Sequence, residues 1–185
     1  MKGNAMRIRA FFLVAAASLM AHAAIAAVQT APNGFVVRHE VMLNAPPAKV
    51  YETLLAVGTW WDPAHTYSGD SKNLSIDARA GGCFCERLAD GGGVEHMRVV
   101  YLATGKALRM SGGLGPLQGS GLAGAMTWGL APSGSGTKLQ LTYSVGGFME
   151  GGFDKMAPAV EDMLGHQVAR LKLLVDTGSP VPKQP

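Results

Sequence analysis

The chain has 185 residues, with 16 Lys and Arg against 13 Asp and Glu and a net charge of +3. Lys2, Arg7 and Arg9 supply that excess and no acid falls in residues 1–27, so the rest balances at 13 against 13. Balanced charge without a long run of one sign excludes an electrostatic footprint for nucleic acid, and the length beyond residue 27 suits one domain with its own core.

The chain begins with the basic residues Lys2, Arg7 and Arg9, then the apolar run AFFLVAAASLMA (10–21), then HAAIAA. Basic start, apolar run and small-residue exit in that order predict a signal peptide over 1–27, cleaved after Ala26 or Ala27. A bilayer-spanning helix takes about 20 apolar residues, so the run is too short and no membrane span is expected. The mature chain is expected to be periplasmic or secreted. A domain is expected over 33–178, and the Pro-rich TGSPVPKQP end predicts a disordered tail over 179–185.

GFVVRHEVMLNA (34–45) alternates, with Phe35, Val37, His39, Val41 and Leu43 on one face, and reads as a strand. Pro46 and Pro47 suit a helix entry, and Val50, Leu54 and Val57 recur at helical spacing to Gly58. TWWDPAHTYSGD (59–70) is a segment of turn-formers holding two of the three tryptophans. Strand patterns follow at 74–78, 83–89, 94–103, 106–112, 121–131 and 137–147, joined by links of hairpin length, as in an antiparallel sheet. Met156, Val160, Met163, Leu164, Gln167, Leu171, Leu174 and Val175 mark one stripe of a helix over 155–176. Asp154 is expected to cap its start and Gly178 its end, with a close packing contact at Gly165. The expected fold class is α+β: a curved seven-stranded antiparallel sheet wrapped around a long C-terminal helix, with a short helix after the first strand.

Cys83 and Cys85 are the only cysteines. Strand rise puts residues two apart about 6.6 Å from one another, near the limit for a disulfide. A bridge would need a distorted strand, so the pair is expected to pack as two small buried thiols. No C-x-x-C or H-E-x-x-H accompanies them, and Asp62, His65 and Asp70 are irregularly spaced, so no metal is expected. GSGLAG (119–124) matches G-x-G-x-x-G but precedes a strand rather than opening a helix, so neither a nucleotide nor another cofactor is expected.

LNAPPAKVYETL, the WW pair about ten residues later, DARAGGCFCE, GTKLQLTYSVGG and the amphipathic C-terminal helix together resemble the START-like, or SRPBCC, superfamily with its helix-grip fold. The resemblance covers 33–177 and lies nearest the branch related to activators of heat-shock-chaperone ATPase and polyketide cyclase/dehydratase-like proteins. It implies an inner cavity for an apolar or amphipathic small molecule. Catalytic residues differ between branches, so it carries none over. The glycine-rich 111–124 stretch departs from the pattern, and a signal peptide argues against a co-chaperone role.

Within that frame the candidate ligand-binding residues are Trp60, Trp61, His39, Tyr67, Met126, Trp128, Tyr143 and Met163. At least one of the adjacent indoles is expected to face the cavity. His39 fits either a satisfied core histidine or a polar group inside the cavity. Met126, Trp128, Tyr143 and Met163 form an expected lining set, though core packing accounts for each singly. His96 is a weaker candidate, because the inner face of its strand is ambiguous, and His166 is expected at the surface. The leading expectation is an exported protein that binds a hydrophobic small molecule without covalent chemistry. The alternatives are a cyclase, dehydratase or hydrolase using His39, His65 or Tyr143 as acid or base, and an envelope stress or scaffold protein with a vestigial cavity.

Overall fold

A computed structural model describes residues 25–182. The leader expected over 1–27 falls almost wholly outside them, as do the last three residues of the tail. Its elements in chain order are β1 (Ile25–Ala31), β2 (Gly34–Leu43), α1 (Pro47–Leu55), β3 (Leu74–Ile76), β4 (Cys83–Arg87) and β5 (Gly93–Ala103). β6 (Ala107–Ser111), β7 (Ala123–Ser133), β8 (Gly136–Gly146) and α2 (Met156–Thr177) complete it. The strands form one antiparallel sheet in the order β1-β2-β8-β7-β6-β5-β4-β3. This is the expected α+β helix-grip architecture with one correction: the sheet has eight strands rather than seven. The added strand, β1, pairs with β2 from Ile25↔Glu40 to Ala31↔Gly34. It lies where a leader and a link were expected, and AAVQTA has too little apolar alternation to announce a strand.

The long strands bury alternate residues against α2, as their period of two requires. Val37, Leu139, Leu141 and Tyr143 are fully buried on the inner face. α2 packs on β2 and β1 and buries Ala157, Val160, Leu164, Gln167, Val168 and Leu171, each large apolar side chain contributing about 1.5–3 kcal/mol. Gly178 closes the helix in the left-handed region at φ 80°, its N–H bonded to the Leu174 carbonyl. Asp154 does not cap the start: the N-cap position is Lys155, with no side-chain cap bond. Past Gly178 the chain turns through Ser179, whose Oγ donates to the Val181 carbonyl.

β4 and β5 depart from regular pairing at one point. Phe84 opposes Met97 and Cys85 opposes Glu95, so His96 is an extra residue without a partner, a β-bulge. The insertion breaks the alternation, and His96 and Met97 are both buried. A second irregularity at Val100 turns Tyr101 outward, where it is exposed, rather than inward with Met97 and Val99. On the outer face of β4, Cys83 and Cys85 form a disulfide with their Cα atoms 5.4 Å apart, which corrects the expectation of two free thiols. That separation is below the regular strand spacing of about 6.6 Å, it lies opposite the bulge, and it is within bridging range.

Candidate functional site

The 59–70 segment is a wall pinned at both ends. Gln167, fully buried on α2, accepts the Asp62 N–H at 2.9 Å and its amide donates to His65 Nδ1 at 2.9 Å. Arg170 donates to the Trp60 carbonyl at 2.8 Å, and His166, at the surface as expected, meets Asp62 Oδ2 at 2.6 Å. Burial alone would raise the Asp62 carboxyl; the Ala64 N–H, His166 and Arg170 outweigh it and hold the group below its ordinary value. At the far end Glu86 of β4 accepts the Tyr67 N–H at 3.1 Å and the Ser68 N–H at 2.5 Å.

Between this wall, β4, β5 and the first half of α2 lies a cavity of about 450 Å³. Trp61, Ala64, His65, Thr66 and Tyr67 line it from the loop, Phe84 and His96 from the sheet, and Met156, Ala159, Val160 and Met163 from the helix. Leu114, Gly115, Pro116 and Leu117 close it from the glycine-rich connection. The lining is mostly apolar and aromatic, with a few polar groups, the composition of small-molecule sites. A series of tilted and edge-to-face rings runs into the wall: Trp128 to Trp60 at 6.0 Å, Trp60 to Trp61 at 5.5 Å, Trp61 to Phe84 at 5.5 Å and Phe84 to His96 at 5.1 Å between centroids.

The polar feature of the wall is His96 with Glu86 behind it, Nε2 to Oε2 at 2.9 Å. Both are buried, at 5% and 1% exposure. Burial pushes the Glu86 carboxyl up; the hydroxyl and N–H of Ser68, the Tyr67 N–H and the His96 ring outweigh it and keep the pKa below the ordinary value. The other ring nitrogen of His96, Nδ1, is buried without a hydrogen-bond partner. A histidine held by a carboxylate beside an apolar cavity can orient a ligand or move a proton.

Of the residues named from the sequence, Trp61, Tyr67 and Met163 line the cavity and the other five do not. Trp60 is buried beneath Trp61, its Nε1–H on the Leu54 carbonyl at 3.3 Å. Met126 and Trp128 lie in the core on β7. His39 faces α2, its Nε2 3.2 Å from the Glu161 carbonyl oxygen; it is the satisfied core histidine, not the cavity group. Tyr143 holds the glycine-rich connection in place, its hydroxyl accepting the Leu114 N–H at 2.8 Å and donating to the Gly112 carbonyl at 3.0 Å. His65, from the enzyme alternative, does line the cavity. Glu86, Phe84 and the Leu114–Leu117 turn were missed. Alternation in CFCER puts Phe84 and Glu86 on one face, a legible sign of a carboxylate turned inward.

The geometry agrees with comparison to known proteins. CalU16 from Micromonospora echinospora superposes with a TM-score of 0.59 at 15% identity, covering 87% of this chain and 88% of its own. The Aha1 protein from Colwellia psychrerythraea, solved as a dimer, gives 0.55 at 19% identity, with 77% of this chain and 97% of its own covered. Protein CV1439 from Chromobacterium violaceum gives 0.52 at 23% identity, with 76% and 96% covered. At these identities the likenesses establish the fold. No curated protein matches the sequence. A family model, polyketide cyclase / dehydrase and lipid transport, matches residues 35–176, and the chain belongs to that SRPBCC-type family.

Proposed function

We propose that the protein is an exported carrier that holds a hydrophobic or amphipathic small molecule in the cavity between sheet and α2, without covalent chemistry. The observation that carries the reading is the cavity of about 450 Å³ with its mostly apolar walls, within the size range of small-molecule sites. Burial of apolar surface supplies the affinity, about 25 cal/mol per Å² before the costs of ordering. The family description, with its lipid transport and cyclase members, supports a small apolar ligand. Export rests on the order of charge, apolar run and small residues in 1–27, and the Cys83–Cys85 bridge supports it, since disulfides persist in oxidising compartments. The test is mass spectrometry of a solvent extract of protein purified without detergent. A stoichiometric apolar molecule is expected. An empty extract, with no thermal shift across a panel of lipids and aromatic metabolites, overturns the reading.

A second reading, an acid–base enzyme of the cyclase or dehydratase kind in the same cavity, is favoured by one observation: the buried His96–Glu86 pair lies in its wall. Conversion of the extracted molecule by the wild type but not by His96→Phe would select it over carriage.

A further inference from the structure

Glu86 fixes which nitrogen of His96 carries the proton. Its carboxyl is held in the charged form and accepts the N–H groups of Tyr67 and Ser68, so it has no proton to give. The 2.9 Å contact to His96 therefore requires Nε2 to be the donor. In the neutral ring that leaves Nδ1 as a bare lone pair. Nδ1 is also one of two side-chain polar atoms among the described residues that are buried without a partner, and a buried acceptor left unpaired is costly.

We infer that the cavity is built for a neutral, largely apolar molecule carrying one hydrogen-bond donor, and that His96 Nδ1 is the atom that receives it. The inference rests on the reading of the cavity as a small-molecule site and adds the polarity of the ligand. With the ring neutral, Nδ1 can only accept, and a donor is called for. A carboxylate ligand is disfavoured, because no Lys or Arg lines the cavity and the ionised Glu86 behind His96 repels it. In the present arrangement Nδ1 is closed to solvent, so the donor reaches it as a wall side chain yields. Tyr67, 56% exposed with its ring 5.9 Å from the imidazole, is the least buried ring beside it.

The test compares three probes of one shape on the wild-type protein at neutral pH by titration calorimetry: 2-naphthol, 2-methylnaphthalene and 2-naphthoate. 2-Naphthol is expected to bind about 10-fold more tightly than the methyl compound, the scale of one buried acceptor satisfied, and naphthoate most weakly. In His96→Phe the naphthol-to-methyl ratio is expected to collapse to about one, whatever happens to the absolute affinities. Heteronuclear NMR of the wild-type imidazole nitrogens should show the proton on Nε2, a readout that needs no variant and no ligand. Equal binding of naphthol and methylnaphthalene, or a proton found on Nδ1, overturns the inference and leaves the carrier reading standing. If none of the three binds, the reading of the cavity fails and the inference falls with it.

Discussion

Gly165 of α2 crosses β2 so closely at His39 that a methyl group at Gly165 would lie 3.0 Å from the ring carbon Cε1 of that histidine. The ring is buried and tied to Glu161 on the same helix, so it has little room to give. Gly165→Ala gains about 1 kcal/mol of helix propensity, but overpacking against a fixed ring costs about 1–3 kcal/mol. The variant is expected to be less stable than the wild type by about 1 kcal/mol in urea unfolding. A more stable variant would show that the helix can slide away from β2.

Tyr143 sits on a pH-dependent connection. Burial pushes its phenol up to about 12, with the Leu114 N–H pulling weakly the other way. Because the folded pKa exceeds the unfolded value of about 10, its contribution is fully present below pH 10 and is lost as pH rises from 10 toward 12. The size is about 2–3 kcal/mol. Tyr143→Phe removes both hydroxyl bonds, leaves the Leu114 N–H and Gly112 carbonyl unpaired and costs about 1–3 kcal/mol. The stability difference between wild type and variant should therefore shrink above pH 10 in alkaline unfolding. A difference independent of pH would separate Tyr143 from the titration.

Much of the fold was legible because its signals are local. Alternation in 137–147 and the stripe from Met156 to Val175 each read directly as β8 and α2. β1 was not, because a short run of Ala, Gln and Thr is a strand only by virtue of pairing with β2. The site was half legible. Trp61 and Tyr67 stand in a segment whose composition announces a loop wall. His96 turns inward only through a one-residue insertion opposite Phe84 and Cys85, and such a slip inverts the facing of a side chain without any mark in the pattern. Leu114 and Leu117 lie in a glycine-rich stretch with no periodicity, and it is long-range bonds, from the Tyr143 hydroxyl and from the Gln118 amide to the Glu95 carbonyl, that tie the stretch to the sheet beside the cavity.

Two tryptophans of the ring series, Trp61 and Trp128, should separate binding from packing. Trp61 lines the cavity, whereas Trp128 is buried at 2% exposure with Trp60 between them. Trp128→Ala opens a void in the core and is expected to cost about 3–5 kcal/mol of stability. Trp61→Leu keeps apolar bulk but removes an aromatic wall, and is expected to weaken an aromatic probe about 10-fold. Calorimetry of the probe and urea unfolding on each variant decide the matter. A Trp61→Leu protein that keeps full affinity would place the binding surface elsewhere.

Acid should open the site from the Glu86 end. The Glu86 carboxyl stands below its ordinary value in the folded chain, so its contribution to stability is present above the unfolded pKa of about 4.3. It is lost as pH falls from there through the folded pKa. Protonation weakens its hold on the Tyr67 and Ser68 N–H groups, and those two amides anchor the loop that carries Trp61. Amide exchange at Tyr67 and Ser68, corrected for the intrinsic effect of pH, is expected to rise below about pH 4 while amides of β8 stay protected. Glu86→Gln, which keeps the shape but not the charge, should show the faster exchange already at neutral pH. Exchange at Tyr67 that follows β8 at every pH would mean that the loop is held by α2 alone, through Gln167 and Arg170.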